Sequence, residues 1–140
     1  MTRYLLATAS VHTTAAAADY LDGRLDAGDE VVVLTVDEPG VPARDAADAV
    51  NVARSRLLPA TVTVEERTGD PAEAVRTVLS EREGDELLVG PRRGDPDAER
   101  GGPDAGRGGD DGRGETVGST ARAILGTVDV PVVVVPLAEL

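Results

Sequence analysis

The stretch Val31-Val32-Val33-Leu34-Thr35-Val36 decides the fold class of this 140-residue chain. It is apolar at every position except Thr35. A strand with one face in water alternates apolar and polar residues, whereas a strand covered by helices on both faces of a parallel sheet is apolar almost throughout. We therefore predict that residues 31–36 form a central strand of a parallel sheet.

Strand and helix patterns alternate on both sides of this stretch. The other predicted strands are 4–8, 61–66, 86–89 and 132–135. Apolar and polar residues alternate over 61–66, so this strand is expected at an edge of the sheet. The first predicted helix follows the turn at 9–13 and runs to Leu25, and the second contains the stretch 46–57. The third and fourth are predicted over 71–82 and over about 119–125. Such alternation implies right-handed crossovers, so we predict one α/β domain over residues 1–140 with helices on both faces of a parallel sheet.

Apolar residues at helical spacing predict the buried face of the first two helices. In the first helix these residues are Ala17, Leu21 and Leu25. In the second they are Ala46, Val50, Ala53 and Leu57. The third helix has a start signal instead: Asp70 supplies a capping carboxylate, Pro71 suits the first turn, and Glu73 follows three residues after the cap.

The charged residues are acidic residues and arginines only. The chain has 26 Asp and Glu against 14 basic residues, none of them Lys, and a formal net charge of −12. So many like charges strain a compact domain in dilute buffer, but at about 1 M salt the Debye length falls to about 3 Å. We therefore predict a halophilic protein whose stability depends on salt. The same charge repels nucleic acids and anionic membranes, and neither is expected as a partner.

Cysteine and long apolar segments are both absent. Without Cys the chain has no disulfide, thiolate nucleophile or cysteine metal site. No apolar run approaches the roughly 20 residues that a membrane-spanning helix needs, and no signal peptide is recognisable. The expected location is the cytoplasm.

The segment 94–117 interrupts the pattern of strands and helices. Its 24 residues include eight Gly and seven acidic side chains, and too few apolar side chains to form a core. A structureless stretch of this length inside a domain is either functional or disordered. We expect a flexible insertion here.

Most motifs for catalysis are excluded. A Walker-type phosphate loop needs a Lys, which this chain lacks. His12 is the only His, and no Ser or acidic motif accompanies it as a catalytic triad requires. No metal-binding motif is present either. The expected function is therefore binding rather than catalysis, with no catalytic and no metal-ligating residue.

Glycines at the end of the fourth strand and at the start of the last helix suggest an anion site. They are Gly90, Gly94 and Gly118, the last followed by Ser119. Glycine lets the backbone approach a phosphate closely, and free amides at a helix N-terminus bind anions. With the order of strands and helices above, and with Val128-Asp129-Val130-Pro131 before the last strand, the whole chain resembles the universal stress protein family.

The resemblance implies a fold and a ligand. The fold would be a five-stranded parallel sheet in the order 3-2-1-4-5, of the Rossmann-like adenine nucleotide alpha hydrolase class, with the ligand at the switch point between strands one and four. The ligand would be ATP or a related adenine nucleotide, with Mg²⁺. The residues that would contact it are Thr8, Val36, Gly90, Gly94, Gly118, Ser119 and Thr120.

The sequence departs from the motif of the family's ATP-binding members, Gly-x2-Gly-x9-Gly-Ser/Thr. Three residues separate Gly90 from Gly94, and 23 separate Gly94 from Gly118. Ala9 also stands where those members usually have Asp. The loss of this Asp weakens the case for recognition of adenosine.

Two other functions stay open. The resemblance also implies a homodimer, and the apolar run 132–135 would make an edge strand that needs a partner. The first alternative is therefore a dimeric stress protein that binds no nucleotide and acts through a protein partner. The second is a flavodoxin-like electron carrier, suggested by the hydroxyl-rich run 8–13, which lacks the glycine expected at Val11 and any Phe or Trp to sandwich a flavin.

Overall fold

Five parallel strands form a single sheet in the order β3-β2-β1-β4-β5. The computed structural model describes residues 1–37, 43–90 and 119–136. The strands are β1 (Arg3–Ala7), β2 (Glu30–Asp37), β3 (Thr61–Thr68), β4 (Glu86–Val89) and β5 (Val132–Val134). The helices are α1 (Val11–Leu21), α2 (Ala43–Arg56), α3 (Pro71–Arg82) and α4 (Ser119–Ile124). The predicted strand order and fold class are confirmed.

The apolar stretch that starts at Val31 lies inside β2, between β1 and β3. Successive side chains of a strand point to opposite faces of the sheet. Val31 and Val33 accordingly pack in the cluster with α1 and α2, and Val32 and Leu34 pack in the cluster with α3 and α4. All four are at most 1% exposed. Helices on both faces explain why this strand is apolar throughout.

Helix α1 ends four residues earlier than the sequence pattern predicts, at Leu21 rather than Leu25. The chain turns at Gly23, whose φ of +82° lies in the left-handed region that favours glycine. Leu25 still packs against the cluster of α1 and α2, although it lies outside the helix. The apolar spacing therefore identified core residues correctly and the helix end wrongly.

Helix α2 starts at Ala43, three residues before the first residue of its predicted stripe, and the remaining element boundaries differ from the predictions by one or two residues. The edge strand β3 extends to Thr68 instead of Glu66. Helix α4 stops at Ile124, and β5 stops at Val134, although Val135 is buried and its N–H donates to the Val89 carbonyl at 2.9 Å. Helix α3 starts as predicted, with the Asp70 side chain accepting from the Glu73 N–H at 3.1 Å.

The buried face of α2 differs in part from its predicted stripe. Ala53 and Leu57 are fully buried, as predicted. Ala46 and Val50 are only half-buried, and the fully buried residue in that part of the helix is Ala49. Near the start of α2, the side of the helix that faces the core is therefore centred on Ala49 and not on the predicted Ala46 and Val50.

Two further expectations concern the segment 94–117 and the absence of a membrane-spanning helix. The predicted flexible insertion at 94–117 lies outside the described residues. Within the three described ranges, no helix is long and apolar enough to cross a membrane.

Candidate functional site

The carboxyl ends of β1 and β4 lie side by side, with Ala7 paired with Val89. Strands β2 and β3 extend the sheet on one side of this pair, and β5 extends it on the other. A parallel sheet of this kind binds ligands where the strand order reverses, in the crevice beyond the carboxyl ends. We call this place, formed by residues 8–13 and 89–90, the switch point.

Thr8 follows β1 and is only 7% exposed. Its N–H donates to the Leu34 carbonyl at 3.1 Å. Its Oγ1 lies 3.0 Å from the Ser10 carbonyl oxygen and 3.0 Å from Thr14 Oγ1, and accepts from the Ser10 N–H at 3.3 Å. The hydroxyl of this predicted ligand residue is therefore engaged in shaping the turn.

Ser10 caps the N-terminus of α1. Its side chain accepts from the Thr13 N–H at 3.1 Å. Its carbonyl accepts from the Thr14 N–H at 3.2 Å and lies 2.9 Å from the fully buried Thr14 Oγ1. These bonds hold the first turn of α1 in one conformation, which is why the run from Thr8 to Thr14 is rich in hydroxyls.

Gly90 follows β4 and faces the first turn of α1. A Cβ at this position would lie 2.6 Å from Thr13 Oγ1 and 2.9 Å from Thr13 Cγ2, so no larger residue fits without movement. The sequence suggested that this glycine allows a ligand to approach. The structure adds a second reason, because the Thr13 side chain takes the space that a side chain at position 90 would need.

Val36 and Ala9 complete the described part of the site. Val36 lies near the end of β2, two residues beyond Leu34, which pairs with Ala7. It is half-buried and packs against the cluster of α3 and α4. Ala9 is half-exposed in the turn after β1. Both residues are apolar and only partly buried.

The other predicted site residues are placed only in part. Gly94 and Gly118 lie outside the described residues. Ser119 and Thr120 form the first turn of α4, where Thr120 is half-buried. His12 is exposed on α1. The structure thus brings Thr8 and Gly90 together and adds Thr13, which the sequence analysis had not singled out.

Within 1–37, 43–90 and 119–136, no three His, Cys, Asp or Glu side chains come together as a metal site would require.

Comparison with known proteins gives matches in structure only. No model of a known protein family matches the sequence, and no curated protein matches it. The solved structure of the hypothetical protein MJ0577, the subject of a structure-based assignment of biochemical function, is 14% identical, with a TM-score of 0.72 over 99% of this chain and 98% of that one.

Two further matches are universal stress proteins. The protein from Archaeoglobus fulgidus is 14% identical, with a TM-score of 0.60 over 96% of this chain and 93% of that one. UspA from Lactobacillus plantarum is 18% identical, with a TM-score of 0.62 over 96% of this chain and 97% of that one. The chain therefore has the fold of the universal stress proteins.

Proposed function

We propose that the chain is a universal stress protein-type module that binds ATP or a related adenine nucleotide at the switch point, without catalysing a reaction on it. The observation that supports this most is the position of Gly90. It follows β4 directly, next to the turn at Thr8, where a sheet of this order receives its ligands. The glycine of the sequence motif and the ligand-binding edge of the fold thus coincide.

The attraction for the phosphates would come from the backbone. The chain has no Lys, so neutral amides and the dipole of a helix N-terminus must bind the negative charge. We assign this role to the amides of Gly118, Ser119 and Thr120. Mg²⁺ bound with the nucleotide would neutralise part of the phosphate charge, which matters in a protein with a net charge of −12.

The base and sugar would meet a mostly apolar surface. Ala9 and Val36 contribute side chains without polar atoms, and the Thr8 hydroxyl is already engaged within its turn. With Ala9 in place of the usual Asp, recognition of the base would rest on shape and on backbone groups. We therefore expect weaker discrimination among nucleotides than an acidic residue would give.

Release of bound nucleotide is the first test of this proposal. The protein is purified in molar salt and denatured, and the released small molecules are identified by mass spectrometry. We expect an adenine nucleotide at roughly one per chain if its Kd is about 1 µM or below. A protein that releases none, even after incubation with ATP and Mg²⁺ followed by gel filtration, would contradict tight binding.

We also propose a homodimer formed through residues 132–135. Strand β5 is an edge of the sheet, and Val132, Val133 and Val134 are half-exposed. An apolar edge strand with unpaired backbone groups favours association with another strand. Such a dimer would also serve the alternative function, a stress protein that acts through a protein partner without binding a nucleotide.

Light scattering over a concentration series in molar salt tests the dimer. We expect a mass equal to two chains, because high salt screens the repulsion between two acidic subunits. A mass equal to one chain at every concentration would contradict the proposed interface and leave the nucleotide proposal unaffected.

A further inference from the structure

At the switch point, the Thr13 side chain lies against the backbone of Gly90, a residue far from it in sequence. The ideal Cβ position of Gly90 lies 2.6 Å from Thr13 Oγ1, 2.9 Å from Thr13 Cγ2 and 3.3 Å from Thr13 Cβ. Every branch of the Thr13 side chain therefore packs onto the backbone of Gly90. Within the described residues no hydrogen bond of Thr13 Oγ1 is found, and the contact of this side chain with Gly90 is one of packing.

The surroundings of both residues are fixed. Val89, the neighbour of Gly90, is held in the sheet by its pairing with Ala7. Thr13 is held by the capping bond of its N–H to Ser10 Oγ at 3.1 Å. The contact between Thr13 and Gly90 thus joins a capped helix turn to the end of a paired strand.

We propose that Thr13 is a positioning residue for the nucleotide site. By filling the space above Gly90, it holds the first turn of α1 at the distance from β4 that the sugar and phosphates of the ligand require. This inference rests on the proposed function. A displacement of about 1 Å at such a place is enough to weaken a site strongly.

A double-mutant cycle in thermal stability tests the contact. We expect Gly90→Ala to lower the melting temperature of the parent protein by about 5 °C. In the Thr13→Ala background the same substitution should lower the melting temperature by less than about 2 °C, because Thr13→Ala removes Oγ1 and Cγ2, the two atoms closest to the new Cβ. The matched control is Gly28→Ala, since a Cβ at Gly28 would meet nothing within 4 Å. Equal losses in the two backgrounds would overturn the inference.

Calorimetric titration with ATP and Mg²⁺ tests the positioning role. We expect Thr13→Ala to weaken binding about tenfold, and Thr13→Val to bind within about twofold of the parent, because Val fills the same space without the hydroxyl. Thr77→Ala, at an exposed position on α3, is the control for loss of a helical Thr. A purely structural role would change the melting temperature of Thr13→Ala and leave its ATP affinity unchanged.

The outcomes separate the two proposals. If the parent binds ATP and Thr13→Ala binds it equally well, the positioning role is wrong and the proposed function stands. If Thr13→Val is as weak as Thr13→Ala, packing is not what Thr13 contributes, and the inference is again wrong. If the parent binds no nucleotide, the proposed function fails and the positioning role fails with it.

Discussion

Raising the salt concentration from about 0.01 M to about 1 M is expected to raise the melting temperature of this protein by about 15 °C. The cause is the net charge of −12, which is large for 140 residues. Repulsion among the excess acidic groups is greater in the compact chain than in the expanded one, so it favours unfolding. Salt screens that repulsion and stabilises the folded chain.

The size of the effect follows from simple electrostatics. A sphere of about 19 Å radius carrying a charge of −12 has a self-repulsion of about 10 kcal/mol at low salt and about 2 kcal/mol at high salt. In an unfolded chain of roughly twice that radius, the self-repulsion falls by only about 3 kcal/mol between low and high salt. The difference, about 5 kcal/mol, stabilises the folded state and corresponds to the expected shift in melting temperature.

A variant with fewer charges provides the control. Asp22, Asp48 and Glu66 are exposed, and replacing them by Asn, Asn and Gln changes the net charge from −12 to −9. Repulsion scales with the square of the charge, so the salt response of this variant is expected to fall to about half. Sodium chloride is the suitable salt, because sulfate also strengthens apolar burial. A melting temperature that is flat or falls with salt would contradict the halophilic interpretation.

Glu65→Ala is expected to lower the free energy of unfolding by about 1.5 kcal/mol at neutral pH, between the effects of exposed and of buried ion pairs. Glu65 lies on β3, and its side chain is 14% exposed. Arg82 Nε donates to Glu65 Oε2 at 2.7 Å, and Arg82 Nη2 contacts the same oxygen. Arg67 Nη1 donates to Oε1 at 2.6 Å. Removing the carboxylate takes away the partner that the two half-buried guanidinium groups share, although Arg67 keeps its ion pair with Glu81 at 2.9 Å.

The acid sensitivity of the parent gives a second measurement on Glu65. Its hydrogen bond from Arg82, followed by that from Arg67, lowers the pKa of Glu65 below its ordinary value of 4.5. A carboxyl group whose pKa is lower in the folded state stabilises that state above its unfolded pKa, and loses this effect as the pH falls through the folded pKa. The deficit of Glu65→Ala should therefore shrink below about pH 4.

Urea unfolding at several pH values between neutral and about 3 measures the difference in free energy of unfolding between the parent and Glu65→Ala. Both proteins lose some stability in acid, because the pKa values of Glu30 and Asp29 are also lowered, that of Glu30 chiefly by the Thr63 hydroxyl and that of Asp29 chiefly by the Asp26 N–H. Glu66→Ala, at the exposed neighbouring position, should cost less than about 0.5 kcal/mol. A Glu65→Ala deficit that is absent at neutral pH, or that does not change with pH, would contradict the account.

The sequence was sufficient for the elements whose pattern depends on local chemistry. The apolar run at Val31 predicted a strand covered on both faces, and Asp70-Pro71 predicted a helix start that the capping bond confirms. The strand order followed from the family resemblance. The end of α1 was predicted wrongly because Leu25 continues the apolar spacing after Gly23 has turned the chain.

The sequence pattern could not predict contacts between residues that lie on different strands and helices. Thr13 was one of several hydroxyl residues in a turn, and only the pairing of β1 with β4 brings it onto Gly90. Glu65 lies on the predicted edge strand, and nothing in the local sequence pattern indicates that Arg82 from α3 covers it. In both cases the partner lies on another element, at a distance that local periodicity does not encode.

Calorimetric titration of ATP and Mg²⁺ into the parent and into Gly118→Asp, in molar salt, tests the central claim most directly. The account predicts a Kd of about 10 µM or tighter for the parent, and binding at least about 30-fold weaker for the variant, since Asp adds a carboxylate and a Cβ where backbone amides would meet the phosphates. Equal affinity of the two proteins would place the site elsewhere, and no binding by either would contradict the nucleotide-binding function.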